Sequence, residues 1–290
     1  MSNRKPAFSF EFFPPKSEAE AEVLDDTVGR LARFNPYFVS VTYGAGGSSQ
    51  ERSFGTVARV ARLGLLTAAH LTCAGASRDE LAKVIATFRA AGIERFVALR
   101  GDPPGGLSEP YRAHPEGFQD TAELVAALKQ AGATDVSVSA YPERHPHSPN
   151  WDAEIAALKR KVDAGADRAI TQFFFDNDLF EAYVERVRRA GIFIPIVPGI
   201  MPIHRFASVA GFAARCGASI PARLARRFAD LDPDGETHRL VAAAVVAEQV
   251  ADLVSRGVEG FHIYTLNRAE LTEAVCRFSG VFPDAERAAA

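Results

Sequence analysis

Phe8-Ser9-Phe10-Glu11-Phe12-Phe13-Pro14-Pro15 is a short strand with a hard stop. Phe8, Phe10 and Phe12 alternate with Ser9, Glu11 and Phe13 at the two-residue period of a β-strand. Pro14 and Pro15 end it, because neither supplies the N–H that a ladder needs. One carboxylate, Glu11, therefore stands near the carboxyl end of a strand that is otherwise almost wholly aromatic. A carboxylate among phenyl rings loses hydration and favours its protonated form, which suits it to deliver a proton near neutral pH. A glutamate turned outward to solvent fits the same residues.

Outward from this strand the pattern repeats. Ser17 to Phe34 reads as a helix, with Ser17 as N-cap and Glu20 at capping-box spacing. The spacing then predicts strands over Tyr37–Tyr43, Leu66–Cys73, Arg95–Asp102, Asp135–Tyr141, Arg168–Asp176, Ile194–Ile200 and Gly260–Leu266. Between them helices are expected over Gln50–Leu63, Arg78–Ala91, Phe118–Ala131, Asp152–Ala164, Leu179–Ala190 and Phe206–Cys216. A longer helical segment covers Pro221–Arg256, with an extra helical piece around 217–233 before the last strand, and Ala269–Phe278 closes the series. Gly92 and Gly132 take C-cap positions. Eight strands alternating with helices, at about 30 residues per unit, is the count of a (β/α)₈ TIM barrel. The strands are near-continuous apolar runs, as expected where both faces are covered. A doubly wound open sheet would use fewer strands and place a nucleotide fingerprint after the first. The Gly44–Gly47 loop lacks the third glycine of that fingerprint. No linker, repeat or charge block divides residues 1–290, so one catalytic domain is expected.

Composition narrows the function classes. A content of 47% hydrophobic and 24% charged residues is that of an ordinary globular α/β protein. A net charge of −3 gives no electrostatic case for nucleic acid or an anionic membrane surface. Cys73, Cys216 and Cys276 form neither a CxxC pair nor a Cys/His cluster, which argues against a disulfide framework and a zinc site. The start is broken by Glu11 and two prolines, and no apolar run approaches the roughly 20 residues of a membrane span. A cytoplasmic location is the expectation.

Barrel catalysis belongs to the carboxyl ends of the strands. Those ends carry Glu11, then Thr42 and Tyr43, His70 and Thr72, and Arg100 and Asp102. Tyr141, Glu143 and His145 follow, then Gln172 and Asp176, then Tyr264, Asn267 and Arg268. Polar groups that interrupt apolar strands cost stability unless they are satisfied or used. Each also has a plainer reading. His70 fits a satisfied barrel histidine, Arg100 and Asp102 a simple ion pair, and Phe173-Phe174-Phe175 a piece of core. Lys159-Arg160-Lys161 reads as a solvated face more readily than as a phosphate-binding cluster.

Taken together, FEFFPPK (10–16), FVSVTYGAGG (38–47), AHLTC (69–73), VALRGDPPG (97–105), YPERHP (141–146), LKRKVDAGADRAITQFFFD (158–176), PGIMPI (198–203) and FHIYTLNRAE (261–270) resemble the bacterial, FAD-dependent methylenetetrahydrofolate reductases. The likeness runs from about Phe8 to Phe282. It implies a (β/α)₈ barrel holding FAD at the carboxyl ends of its strands. NADH or NADPH would be the co-substrate, tetrahydrofolate derivatives the substrates, and a homodimer or homotetramer the assembly.

By that resemblance Glu11 is the acid catalyst and Asp102 a second carboxylate near flavin and pterin, both also touching substrate. Thr42, Tyr43, Ala45, His70, Arg100, Gly101, Asp102, Tyr141, His145, Ser148, Glu154, Ala157, Arg160 and Lys161 fall on cofactor-binding positions. Gln172, Ser208, Phe212 and Arg268 fall on substrate-binding ones. No metal is implied. The departures are Asp120, where relatives carry Tyr, together with Ser148, Ala157 and Ser208. The implied activity is ping-pong hydride transfer between 5,10-methylenetetrahydrofolate and 5-methyltetrahydrofolate through FAD, as part of one-carbon metabolism and methionine biosynthesis. In that scheme Glu11 is protonated by its phenyl surroundings and Asp102 is kept ionised by Arg100 or by pterin contacts. The same residues serve the oxidative direction equally. A non-redox barrel lyase built on Lys161 or Glu11, and a flavin- or folate-binding regulatory protein, are the alternative readings.

Overall fold

The computed structural model describes residues 5–43, 47–103, 109 and 111–283. Its first half runs β1 (Ala7–Phe12), α1 (Glu18–Ala32), β2 (Phe38–Val41), α2 (Gly47–Ala61), β3 (Thr67–Thr72), α3 (Arg78–Ala90), β4 (Arg95–Leu99) and α4 (Thr121–Gln130). The second half runs β5 (Asp135–Ala140), α5 (Trp151–Asp163), β6 (Arg168–Thr171), α6 (Asn177–Arg189), β7 (Ile196–Val197), β8 (Gly199–Ile200), α7 (Phe206–Cys216), α8 (Ala222–Phe228), α9 (Glu236–Ser255), β9 (Gly260–Tyr264) and α10 (Glu270–Phe278). Every strand pairs in parallel, in the order β7-β6-β5-β4-β3-β2-β1-β9-β8. This is a single-domain α/β barrel. The Gly44–Gly46 part of the glycine loop, with Ala45 in it, lies outside the described residues.

Helix starts follow the local chemistry of the chain. Ser17 caps α1 by accepting the Glu20 N–H, and Ser77 and Glu80 complete a reciprocal capping box on α3. Asp120, Asn150 and Asp176 cap α4, α5 and α6 in the same way.

Four expected elements differ. The predicted seventh strand, Ile194–Ile200, is two short strands, because Pro198 between them has no N–H to give. β7 pairs with β6 and β8 with β9, and the Pro198 carbonyl accepts the His262 N–H, so the broken strand still closes the barrel. The predicted sixth strand stops at Thr171, and residues 172–176 form the loop that leads into α6. The fourth stops at Leu99. The segment 221–256 is two helices, α8 and α9, separated by Pro233 and by Asp230 at φ 61°.

The strand period sorts the side chains into two shells. Phe8, Phe10 and Phe12 join Leu24, Val28 and Leu31 of α1 in the large core between strands and helices. Each ring buried there contributes roughly 1.5–3 kcal/mol. The opposite face of the same strands turns into the barrel, where Phe38, Ala68, Val97 and Ile170 form a small separate cluster. Ser9 and Glu11 lie on that inner face. This corrects the expected setting of Glu11: the phenyl rings beside it in sequence are on the other side of the sheet.

Candidate active site

Glu11 is fixed by what surrounds the end of β1. Its neighbours in register are Ser40 on β2 and Tyr264 on β9. Its carbonyl accepts both the Thr265 hydroxyl at 2.6 Å and the Thr265 N–H at 3.3 Å. One residue past the strand, Asn267 takes over from the sheet, and its amide donates to Phe13 O and accepts from Phe13 N–H, each at 2.9 Å. Leu266 and Asn267 both hold positive φ, near 52° and 54°, to bring that amide alongside. The carboxyl end of β1 is thus paired where the prolines would otherwise leave it loose.

The Glu11 carboxyl meets two imidazoles instead of phenyl rings. Oε2 lies 3.5 Å from His262 Nε2 and 3.5 Å from His70 Nε2. Burial pushes His70 down to about 4, with Glu11 only partly opposing the shift, so this imidazole is neutral at pH 7. His70 Nε2 has no aligned hydrogen-bond partner among the described residues. The other imidazole is held from behind, with Nδ1 2.8 Å from Ser9 Oγ, itself 3.1 Å from the Phe261 carbonyl. The single hydroxyl hydrogen of Ser9 goes to that carbonyl, so Ser9 accepts from His262 Nδ1–H. Nε2 of the same ring faces Glu11 Oε2.

One wall of the mouth is aromatic. Tyr264 donates its hydroxyl to Thr171 O at 2.7 Å, and burial raises its pKa well above the ordinary phenol value. Its ring meets Phe173 edge-on, and Phe173 stacks on Phe212 of α7 at 5.5 Å and 22°. Phe173 and Phe174 are core, as read from sequence, whereas Phe212 is partly exposed. Gln172 is half-buried and turns its Oε1 back to the Phe173 N–H, 3.0 Å away. Ser208 and Arg268 are exposed, the first on α7 and the second just beyond β9.

The other wall opens into two adjoining cavities of 310 and 190 Å³, which share Arg100, Tyr141 and His145. The larger is lined by Tyr43, Thr72, Gly101 and Asp102, the smaller by Asp120, Ser148, Glu154, Ala157, Arg160 and Lys161. Thr42 stands beside them with its N–H on Phe12 O at 3.0 Å. Asp102 is exposed. Arg100 does not pair with it among the described residues; it lies 3.2 Å from His147 Nδ1 and packs over the Tyr111 ring. Burial and the Arg100 charge push His145 down to about 4.

Asp120 accepts the Ala122 and Glu123 N–H groups and also pairs with Arg160 at 3.2 Å. The basic run divides accordingly. Lys159 pairs with Asp163 on the exposed face of α5. Lys161, read from sequence as part of that face, is instead buried, donates to Ser139 O and is pushed down to about 8 by desolvation.

These walls fit a long ligand with a polar ring system at one end and phosphates at the other. Among the described residues, Ser40 Oγ, Tyr43 OH and Thr72 Oγ1 are buried without hydrogen-bond partners, alongside His70 Nε2. A Cβ on Gly101, at φ 82°, would lie 2.8 Å from Ala74 Cβ, so no side chain can occupy that turn. Arg100, Arg160 and Lys161 supply cations at the far end. FAD has that chemistry. Among the described residues no group of three His, Cys, Asp or Glu side chains could hold a metal, and no helix is long and apolar enough to cross a membrane.

A cavity of 1030 Å³ opens at the amino ends of the strands around Phe38, Arg168 and Phe261. Two of the cations around it are engaged, Arg168 with Asp135 and Arg256 with Glu181.

Sequence reasoning missed Ser9 and His262. Both sit one strand period from residues that were singled out, Glu11 and Tyr264, and therefore on the same inner face; that alternation was the available signal.

The methylenetetrahydrofolate reductase family model matches residues 1–280. The chain is 42% identical over 282 residues to the 5,10-methylenetetrahydrofolate reductase of Pectobacterium carotovorum subsp. carotovorum, covering 96% of this chain and 92% of that one. Against the protein of the same name from Escherichia coli (strain K12) it is 43% identical over 276 residues, covering 95% and 91%. A Clostridium thermocellum protein described as binding two copies of 5-methyl-5,6,7,8-tetrahydrofolic acid superposes with a TM-score of 0.64 at 14% identity, covering 98% of this chain and 96% of that one. A likeness at that identity is one of fold.

Proposed function

This chain belongs to the methylenetetrahydrofolate reductase family, and on that premise we propose that it interconverts 5,10-methylenetetrahydrofolate and 5-methyltetrahydrofolate, with FAD as hydride carrier and NADH or NADPH as donor. The carrying observation is the Glu11 carboxyl set 3.5 Å from His262 Nε2 on the floor of a mouth that adjoins a cation-lined cleft. Bound FAD supplies reversible storage of two electrons, which no side chain offers. Tyr43, Thr72, His70 and the Gly101 turn would hold its ring system, and Arg100, Arg160 and Lys161 its pyrophosphate.

The chain's own contribution is proton handling and placement. The methylene bridge of the folate must open before its carbon can accept hydride, and opening needs a proton on nitrogen. Glu11 Oε2 is the donor, and His262, oriented by Ser9 behind it, is the hydrogen-bonding partner of that oxygen. His70 remains neutral and adds no positive charge to compete. Tyr264, Phe173 and Phe212 form an apolar wall that excludes water and gives planar rings a stacking surface. Donor and folate use this side of the mouth in turn, which gives a ping-pong order.

The test is an absorbance spectrum of the purified protein followed by anaerobic titration with NADH and with NADPH. A flavin spectrum bleached by one of them and restored by methylenetetrahydrofolate is expected. A colourless protein that takes up no added FAD overturns the reading.

A further inference from the structure

Glu143 is a strand-end acid for which neither the proton site nor the cofactor cleft has a use. It sits in the loop between β5 and α5, the same loop that carries Tyr141, His145 and Ser148 into the cleft. That loop is rigid. Arg144 N–H bonds to Tyr141 O at 3.0 Å and Ser148 N–H to His145 O at 2.9 Å. The buried Glu154 carboxylate ties it to α5 by accepting the His145 N–H and the Ser148 hydroxyl. The Glu143 carboxylate leaves this platform in the other direction. It accepts the Ser219 N–H on both oxygens, at 3.0 and 3.1 Å, just past the end of α7.

The end of α7 is shaped to receive it. Gly217 adopts φ 76° and ψ 17°, the left-handed turn that lets Ala218 N–H reach Ala213 O at 3.0 Å. The turn also brings the chain onto the loop, since a Cβ on Gly217 would lie 2.8 Å from Pro146 Cγ. Ser219 follows with a donor that the helix cannot use, and Glu143 takes it. α7 needs such an anchor. Only Val209 and Ala213 of its 11 residues are buried, and at its start the Phe206 N–H reaches His238 Nε2 at 3.4 Å in place of a side-chain cap. A helix with so little buried apolar surface opens easily unless its ends are held. It carries Phe212, whose ring completes the aromatic wall on Phe173.

We infer that Glu143 is a positioning residue: it latches α7 to the cofactor-cleft loop and so sets the placement of Phe212 and the affinity for folate. The inference rests on the proposed function for its ligand, and on the contact geometry alone for the latch. One wall of the mouth belongs to the cofactor loop and the other to a lightly packed helix. The Glu143 carboxylate bonds one to the other, so folate meets a preformed slot.

Two variants of the flavin-loaded protein test this by hydrogen exchange and by folate titration. In Glu143→Ala, amides of segment 206–220 exchange about 10-fold faster and those of 141–150 stay as in wild type. The Kd for 5-methyltetrahydrofolate, read from the flavin spectrum, rises about 5- to 10-fold with flavin retained, the loss expected for one charge-assisted hydrogen bond. Glu143→Gln, which keeps one acceptor oxygen, returns both values most of the way to wild type. Unchanged exchange over 206–220 in Glu143→Ala overturns the latch, and faster exchange with unaltered folate affinity overturns its role in binding. Loss of flavin in Glu143→Ala also overturns it, since Glu143 would then be serving the cleft. A wild type that binds no folate refutes the function while the exchange measurement still decides the latch.

Discussion

His262 presents Nε2 3.5 Å from Glu11 Oε2 while its Nδ1 lies 2.8 Å from Ser9 Oγ. One imidazole thereby joins a hydroxyl in the middle of β1 to the carboxyl near its end. Both groups face the barrel interior because they are two residues apart on one strand, and His262 meets them from the neighbouring strand at the register of Ser9. The setting of the Glu11 carboxyl is consequently a property of two strands.

Removing the acid should separate the two halves of the reaction. Glu11→Gln is expected to lower folate reduction by about 10²–10⁴-fold and to leave flavin reduction by the nicotinamide donor intact. Ser9→Ala releases the His262 tautomer and should lower folate reduction by about 10-fold through the same route. Stopped-flow bleaching of the flavin measures the first half and its reoxidation by methylenetetrahydrofolate the second. Equal losses in both halves would remove Glu11 from the proton step.

Lys161 gives the cleft a pH dependence. Its pKa is about 8 in the folded chain against an ordinary 10.5, because burial disfavours the ammonium. Since the folded value is the lower one, the cost of the buried charge is present below pH 8 and is relieved as pH rises from 8 to 10.5. The full span is about 3 kcal/mol. Flavin-stripped Lys161→Met should therefore be more stable than wild type at pH 7 by about 1–3 kcal/mol, the advantage fading above pH 8. FAD affinity of the wild type should fall as pH rises through 8, and that of Lys161→Met should stay flat and weak. Urea denaturation and FAD titration at pH 7 and 9.5 check both.

Acid should unfold the barrel from its interior. His70 has a folded pKa of about 4 against 6.5 when free, so the unfolded chain binds the proton first. Stability is full above pH 6.5 and is lost as pH falls from 6.5 towards 4, by up to about 3 kcal/mol for this group. His70→Gln removes that contribution. Its urea midpoint should drop less than that of wild type between pH 7 and 4.5, and an equal drop would place the acid sensitivity elsewhere.

Asp120 holds a cap and an ion pair at once, and two substitutions tell them apart. Asp120→Asn keeps the cap on the Ala122 and Glu123 N–H groups and releases Arg160. Stability should change by less than about 0.5 kcal/mol, since the pair is largely exposed, while FAD affinity rises about 2- to 5-fold as Arg160 becomes available to phosphate. Asp120→Ala should cost about 1 kcal/mol from the lost cap. Thermal melts and FAD titration distinguish the two.

The sequence was informative where the chemistry is local. The strand period of Phe8–Phe13, the caps at Ser17 and Ser77, and the punctuating prolines could be read directly, because each depends on a few adjacent residues. So could the barrel, since its repeat of strand and helix spans the whole chain. The carboxyl end of the strands stood out because Glu11, His70, Arg100 and Gln172 fall at equivalent strand positions.

What the order of residues could not supply was which groups meet across strands. The phenyls that flank Glu11 in sequence pack against α1, while the imidazoles beside its carboxyl come from residues 70 and 262. Lys161 looked like its exposed neighbours until α5 turned it under Ser139. Adjacency along a strand alternates faces, so nearest neighbours in sequence are kept apart. Only closure of the sheet puts β1 between β2 and β9 and decides what stands beside the acid.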